Sequence, residues 1–136
     1  MAPADGHPDL VTGNREMDEE HALQLQLLRE LVQNLESGDG PASLEVFRRL
    51  DGFTNAHFLA EERLMRLHDY PESEAHRSEH GGFVEELMTL RARLSGGDVD
   101  GMRDDADAFA RRLLAHIART DHALAEFLRS RRGAVA

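Results

Sequence analysis

The sequence predicts an all-α protein, an antiparallel up-down-up-down four-helix bundle preceded by an irregular N-terminal arm. Three observations carry this. Apolar residues recur at steps of three and four along four separate stretches, short breaks rich in glycine, proline or aspartate divide them, and 136 residues that are 40% hydrophobic and 31% charged suit one globular core.

Met1 to Asn14 holds two prolines and two glycines without apolar periodicity, so residues 1–16 read as the arm and residues 17–131 as the bundle. Asp18 is the expected N-cap of the first helix, with Glu19 and Glu20 placing negative charge in its first turn. Met17, His21, Leu25, Leu28, Val32 and Leu35 form its inward face, and Ser37-Gly38-Asp39-Gly40 ends it. Pro41 suits the first turn of the second helix, where its missing N–H has no partner to lose. Phe47, Leu50, Thr54, His57, Glu61, Leu64 and His68 follow on one face. Asp69-Tyr70-Pro71 breaks the pattern, and Pro71 is expected to open the third helix, whose face is His76, His80, Phe83, Leu87, Leu90 and Leu94. After Ser95-Gly96-Gly97 the last helix presents Met102, Ala106, Phe109, Leu113, His116, Thr120, Leu124 and Phe127.

Composition excludes several functions. A net charge of −10 opposes nucleic-acid binding, which needs clustered cations to displace counterions. The basic run Arg129 to Arg132 reads as a helix C-terminus complementing the macrodipole. No stretch is long and apolar enough to span a membrane, and Met1 to Glu20 has neither the basic start nor the apolar run of a secretory leader, so a cytoplasmic protein is expected. With no cysteine in the chain, any metal must be held by histidine and carboxylate.

The inward stripes carry those residue types. Of eight histidines, His21, His57, His76, His80 and His116 stand on or beside them where leucine would otherwise serve, and Glu61 stands there too. An inward carboxylate needs a compensating partner, and a metal ion also accounts for the imidazoles. In His57-Phe-Leu-Ala-Glu61 and His76-Arg-Ser-Glu-His80 the two members lie one turn apart and project from one face. His116-Ile-Ala-Arg-Thr-Asp121 has a spacing of five, about 140° on a regular helix. Either Asp121 reaches a second metal on the flank of the first, or a bulge in the helix brings it round. His21 near the start of helix one, His57 and Glu61 near the end of helix two, His76 and His80 near the start of helix three, and His116 and Asp121 late in helix four all fall toward one end of such a bundle. The set suits iron, manganese or zinc. His7 and His122 read as solvent-facing, and His68, which continues the inward stripe at the helix end, as at most a lid over the site or a residue behind the ligands. Asp98-Val-Asp100-Gly101 lacks the remaining ligands and closing glutamate of a calcium loop.

The order of these motifs, one histidine, then HxxxE, HxxxH and HxxxxD, resembles the hemerythrin family, bacterial hemerythrins and hemerythrin-like domains included. The matching stretches are Met17-Asp-Glu-Glu-His21, His57 to Met65, Tyr70-Pro71 to His80, and His116 to Asp121. The resemblance implies two non-haem irons with a bridging oxo or hydroxo group. His76, His80 and His116 would hold the filled iron, His21 and His57 the iron with an open position, and Glu61 and Asp121 would bridge. It further implies end-on binding of dioxygen at the open iron, for carriage, storage or sensing. Leu113 matches a pocket-lining position of the family, whereas Gln24, three residues after His21, stands where an apolar residue is usual. Pointing inward, Gln24 would hydrogen-bond the bound ligand or admit water. Reversible binding is the favoured reading, and a redox enzyme removing peroxide or nitric oxide is the alternative. A ferritin-like oxidase would need paired Glu-x-x-His motifs, which the sequence lacks. The sequence names no protein partner.

Overall fold

A computed structural model describes residues 10–135 of the chain. Helix α1 spans Arg15–Ser37, α2 Gly40–Leu67, α3 Ser73–Gly96 and α4 Val99–His116; a five-residue π-turn, Ile117–Asp121, then leads into α5, His122–Val135. α4, the π-turn and α5 together make the fourth rod of a four-helix bundle, and the described residues contain no strand. α1 packs on α2 and α4, and α3 packs on the same two, which closes the bundle. None of the helices is long and apolar enough to cross a membrane.

Local chemistry sets the helix ends. Asn14, not Asp18, caps α1, its side chain accepting from the Met17 N–H. Asp18 instead lies inside the first turn and accepts from the Thr12 N–H at 2.8 Å and the Thr12 hydroxyl at 2.7 Å. The carboxylate thus ties the incoming chain to α1, and the arm's Thr12 is buried. Asp39 caps α2, and Pro41 lies in its first turn as the sequence predicts. α3 begins at Ser73, two residues beyond the expected Pro71, because Pro71 is part of the turn that follows α2. Asp98 caps α4 by accepting from the Gly101 N–H at 3.0 Å, which accounts for the aspartate-rich Asp98 to Asp100 stretch without calcium. Gly38 and Gly97 end α1 and α3 in the left-handed conformation, both at φ 76°, where a side chain would be strained.

The core divides in two. A large cluster includes Leu28, Leu31, Phe47, Leu50, Phe83, Leu87, Leu90, Phe109 and Leu113. A smaller one, Met17, Met65, Tyr70, Leu124, Ala125 and Leu128, fills the far end. On every rod His21, His57, Glu61, His76, His80, His116 and Asp121 fall between the residues of one cluster and those of the other, so a polar layer lies between two apolar ones.

The inward series differ from the sequence expectation at some positions: in α1 Leu31 is fully buried and Val32 half-buried, and in α3 Leu94 is half-buried. In α2, Met65 is fully buried, while Leu64 and His68 are only half-buried. Past His116 the buried positions are Ile117, Asp121, Leu124, Ala125 and Leu128, and the expected Thr120 and Phe127 lie at the edge. The π-turn adds a residue to the helical register and moves the inward face on by one position.

Candidate metal centre

The structure brings all seven sequence-predicted residues together: His21, His57, Glu61, His76, His80, His116 and Asp121 are each at most 3% exposed. One ligand-type atom from each of Glu61, His76, His80, His116 and Asp121 lies within 4.8 Å of the others, and the same holds for His21, His57, Glu61 and Asp121. Both carboxylates belong to both groups.

The carboxylate oxygens are divided between these groups. Glu61 Oε2 faces His57 Nε2 at 2.9 Å and His21 Nε2 at 3.7 Å, while Oε1 faces His80 Nε2 at 3.1 Å and His76 Nε2 at 3.2 Å. Asp121 Oδ2 faces His21 Nε2 at 2.8 Å, and Oδ1 faces His76 Nε2 at 3.0 Å and His116 Nε2 at 3.1 Å. Of the two routes by which Asp121 could join, the structure takes the bulge: the π-turn between His116 and Asp121 turns both inward.

The cluster holds protons tightly. Burial alone would lower the pKa of His21, but the Asp121 and Glu61 carboxylates outweigh it and raise it to about 9. His76, opposed by burial and supported by the same two carboxylates, also rises to about 9. His57 and His116 are raised on the same balance. Burial opposes ionisation of Glu61 and Asp121, yet the surrounding imidazoles hold both carboxyls well below their ordinary range. Concentrated positive and negative groups in a closed core are what a cation replaces, since binding displaces protons from imidazole.

A metal fits the donor set on the evidence of its unpartnered atoms. His21 Nε2, His57 Nε2, His80 Nε2, His116 Nε2, Glu61 Oε2 and Asp121 Oδ1 are all buried without a satisfactory hydrogen-bond partner. Native interiors rarely leave polar atoms in this condition, and here six of them converge on one layer. Five imidazoles and two carboxylates with no thiolate suit iron or another borderline divalent metal.

Of the two pocket residues the sequence singles out, Gln24 has no exposed surface and donates its amide to the Thr54 hydroxyl at 2.9 Å, leaving its own Oε1 unpartnered. Gln24 lies one turn beyond His21, and Thr54 one turn before His57. Leu113, 1% exposed, packs in the large apolar cluster one turn before His116. His122 is 44% exposed at its side chain and pairs with Glu126 at 3.5 Å. His7 lies outside the described residues.

Sequence reasoning missed an outer set. Glu20 meets His57 Nδ1 at 2.5 Å, Glu62 meets His80 Nδ1 at 2.9 Å and Glu79 meets His116 Nδ1 at 2.7 Å. Phe58 stacks on the His80 ring with centroids 3.9 Å apart and planes 8° from parallel. The available signal was adjacency, because Glu20, Phe58, Glu62 and Glu79 each stand beside a candidate ligand in sequence.

Residues 12–128 match the model of the hemerythrin HHE cation binding domain. Similar proteins include a bacteriohemerythrin of Pseudomonas aeruginosa, 30% identical over 115 residues, which cover 85% of this chain and 74% of that one. A bacteriohemerythrin of Stenotrophomonas maltophilia is 30% identical over 118 residues, covering 87% and 76%. A myohemerythrin of Theromyzon tessulatum is 30% identical over 79 residues, covering 58% and 61%. No solved structure matches the chain. Motif order, bundle geometry and the span of the match agree, and the chain belongs to the hemerythrin family.

Proposed function

We propose that this chain is a non-haem di-iron protein that binds dioxygen reversibly. The supporting observation is the division of the carboxylate oxygens: Glu61 and Asp121 each turn one oxygen to the His21 and His57 side and the other to the His76, His80 and His116 side. Two carboxylates so placed suit a pair of cations better than one. In this reading His76, His80 and His116 would hold one iron and His21 and His57 the other, Glu61 and Asp121 would be shared between them, and a solvent-derived oxo or hydroxo group would complete the centre. The iron pair, when bound, supplies an open coordination position and the two electrons that dioxygen binding requires.

The chain's own residues do the rest. Three histidines against two leave the second position under-filled, and there an exogenous ligand has room. Leu113 and the apolar cluster below it exclude water from the layer, which favours release of the ligand over its reaction. Gln24 sets the polarity of that side, its free amide oxygen being an acceptor in an otherwise apolar wall.

The same amide supports a second reading, redox removal of peroxide or nitric oxide, since a polar wall favours proton delivery over reversible release. One experiment separates the two. Iron-loaded protein is reduced without oxygen, exposed to air and then deoxygenated. Visible charge-transfer bands that appear with oxygen and vanish on its removal support reversible binding, while prompt conversion to a stable diferric spectrum supports redox turnover.

A further inference from the structure

We propose that Glu20, Glu62 and Glu79 are positioning residues forming a helix-to-helix relay, in which each helix carries beside its own inward ligand the carboxylate that orients the histidine of the next. The inference rests on the metal-binding reading above. Glu20 on α1 is next to His21 and reaches His57 on α2; Glu62 on α2 is next to Glu61 and reaches His80 on α3; Glu79 on α3 is next to His80 and reaches His116 on α4. The direction is the same at each step.

The relay fixes which ring nitrogen faces inward. A carboxylate beside Nδ1 accepts a hydrogen bond from Nδ1–H, which keeps the ring proton there and leaves the Nε2 lone pair for the interior. The three rings held this way turn a buried Nε2 toward the Glu61 and Asp121 carboxylates at 2.9–3.1 Å without a well-formed hydrogen bond. The carboxylates stay in reach of water, with side-chain exposures of 41%, 18% and 48% for Glu20, Glu62 and Glu79, while each imidazole partner is at most 2% exposed. The relay is open at the α4 to α1 seam, and among the described residues the Nδ1 atoms of His21 and His76 have no partner.

Glu79 has a second duty. The same Oε1 that receives the His116 Nδ1–H also accepts from the Thr120 hydroxyl at 2.9 Å. Thr120 belongs to the π-turn that carries Asp121 inward, so one carboxylate on α3 fixes both a ring and the turn that positions the next candidate ligand.

Metal-free full-length chain is titrated with Fe(II) under anaerobic conditions against a chelator of known affinity, for wild type, Glu79→Ala, Glu79→Gln and the exposed control Glu85→Ala. Helix content of each metal-free variant is read by far-UV circular dichroism, and the reduction potential of each loaded one is measured. Glu79→Ala is expected to bind iron on the order of 10–100-fold more weakly at wild-type helicity. Glu79→Gln, whose amide oxygen still accepts from Nδ1–H, restores most of the affinity but raises the potential, because a neutral acceptor leaves the imidazole a poorer donor. Glu85→Ala changes neither. Wild-type affinity in Glu79→Ala, or a Glu79→Gln variant no better than alanine, overturns the relay. A wild-type chain that takes up no iron overturns the functional reading itself, and the relay with it.

Discussion

Gln24 donates its amide to Thr54 across the α1–α2 contact at 2.9 Å, and neither residue has exposed surface. The pair satisfies itself on one side and leaves the Gln24 oxygen buried without a partner, a condition that native interiors rarely contain. Gln24→Leu is expected to lengthen the life of the oxygenated form several-fold, measured as the decay of its visible bands in air. An unchanged or shorter life removes Gln24 from the ligand pocket. The double variant Gln24→Leu with Thr54→Val should be as stable as wild type or more so, since replacing both partners by apolar groups leaves no orphan.

Glu61→Ala and Asp121→Ala should each reduce tightly bound iron from two per chain to one or fewer, with helix content intact. Elemental analysis of the purified loaded variants checks the stoichiometry. Each variant removes one of the two buried counter-charges of the imidazole layer, so the metal-free variants should also lose a few kcal/mol of stability, on the order of 3. Two irons retained in either variant would remove the bridging role.

Stability of the metal-free protein should fall at alkaline pH. His21 and His76 have pKa values of about 9 in the fold against 6.5 for a free side chain, so the folded chain binds their protons more tightly than the unfolded one. Their contribution is complete below about 6.5 and disappears as pH rises through about 9. Glu61 and Asp121 act in the other sense: their contribution is present above their ordinary values of 4.5 and 3.8 and is lost as pH falls toward their depressed ones. Thermal unfolding followed from acid to pH 9 should therefore peak between about 4.5 and 6.5 without metal. The iron-loaded protein, in which the cation replaces those protons, should lose the alkaline decline.

Leu113→Ala should destabilise the metal-free bundle by about 2–5 kcal/mol, the usual cost of emptying a leucine site in a closed core. Leu113 is 1% exposed within the large cluster, so little relaxation is available to it. Denaturant unfolding at neutral pH measures the loss, and a change under about 1 kcal/mol would mean that the site collapses or already contains space.

The bundle was legible because apolar steps of three and four run for five to seven turns on each rod, and Gly38, Pro41 and Gly97 punctuate them. The cap of α1 was not. Asn14 and Asp18 are both good capping residues, and the choice depended on Thr12, whose hydroxyl engages Asp18 from outside the helix. The seven residues of the polar layer were legible because each interrupts an apolar stripe, where a histidine or carboxylate stands out. Glu20, Glu62 and Glu79 stand on the wet flank of their helices; adjacency to a candidate ligand was their one local signal, and among 26 acidic residues it is their three-dimensional reach that singles them out. The partnership of Gln24 with Thr54 joins residues 30 positions apart, which no local pattern encodes.

The π-turn also sets how this chain tolerates change in length. Ile117–Asp121 makes the fourth rod two helical segments in different phase, joined without a loop. Deleting Ala118 alone would let the rod run as an uninterrupted α-helix in which His116 and Asp121 stand four positions apart, the one-turn spacing already used on α2 and α3, so the inward face downstream would be kept. The damaging change is the opposite one. Winding the full-length segment as regular α-helix would turn Asp121 about 140° from His116 and carry Leu124 and Leu128 out of the small apolar cluster. The segment from His116 to Asp121 therefore behaves as a ruler in which length and winding are matched: one residue fewer suits the tighter helix, and the present length needs the wider turn.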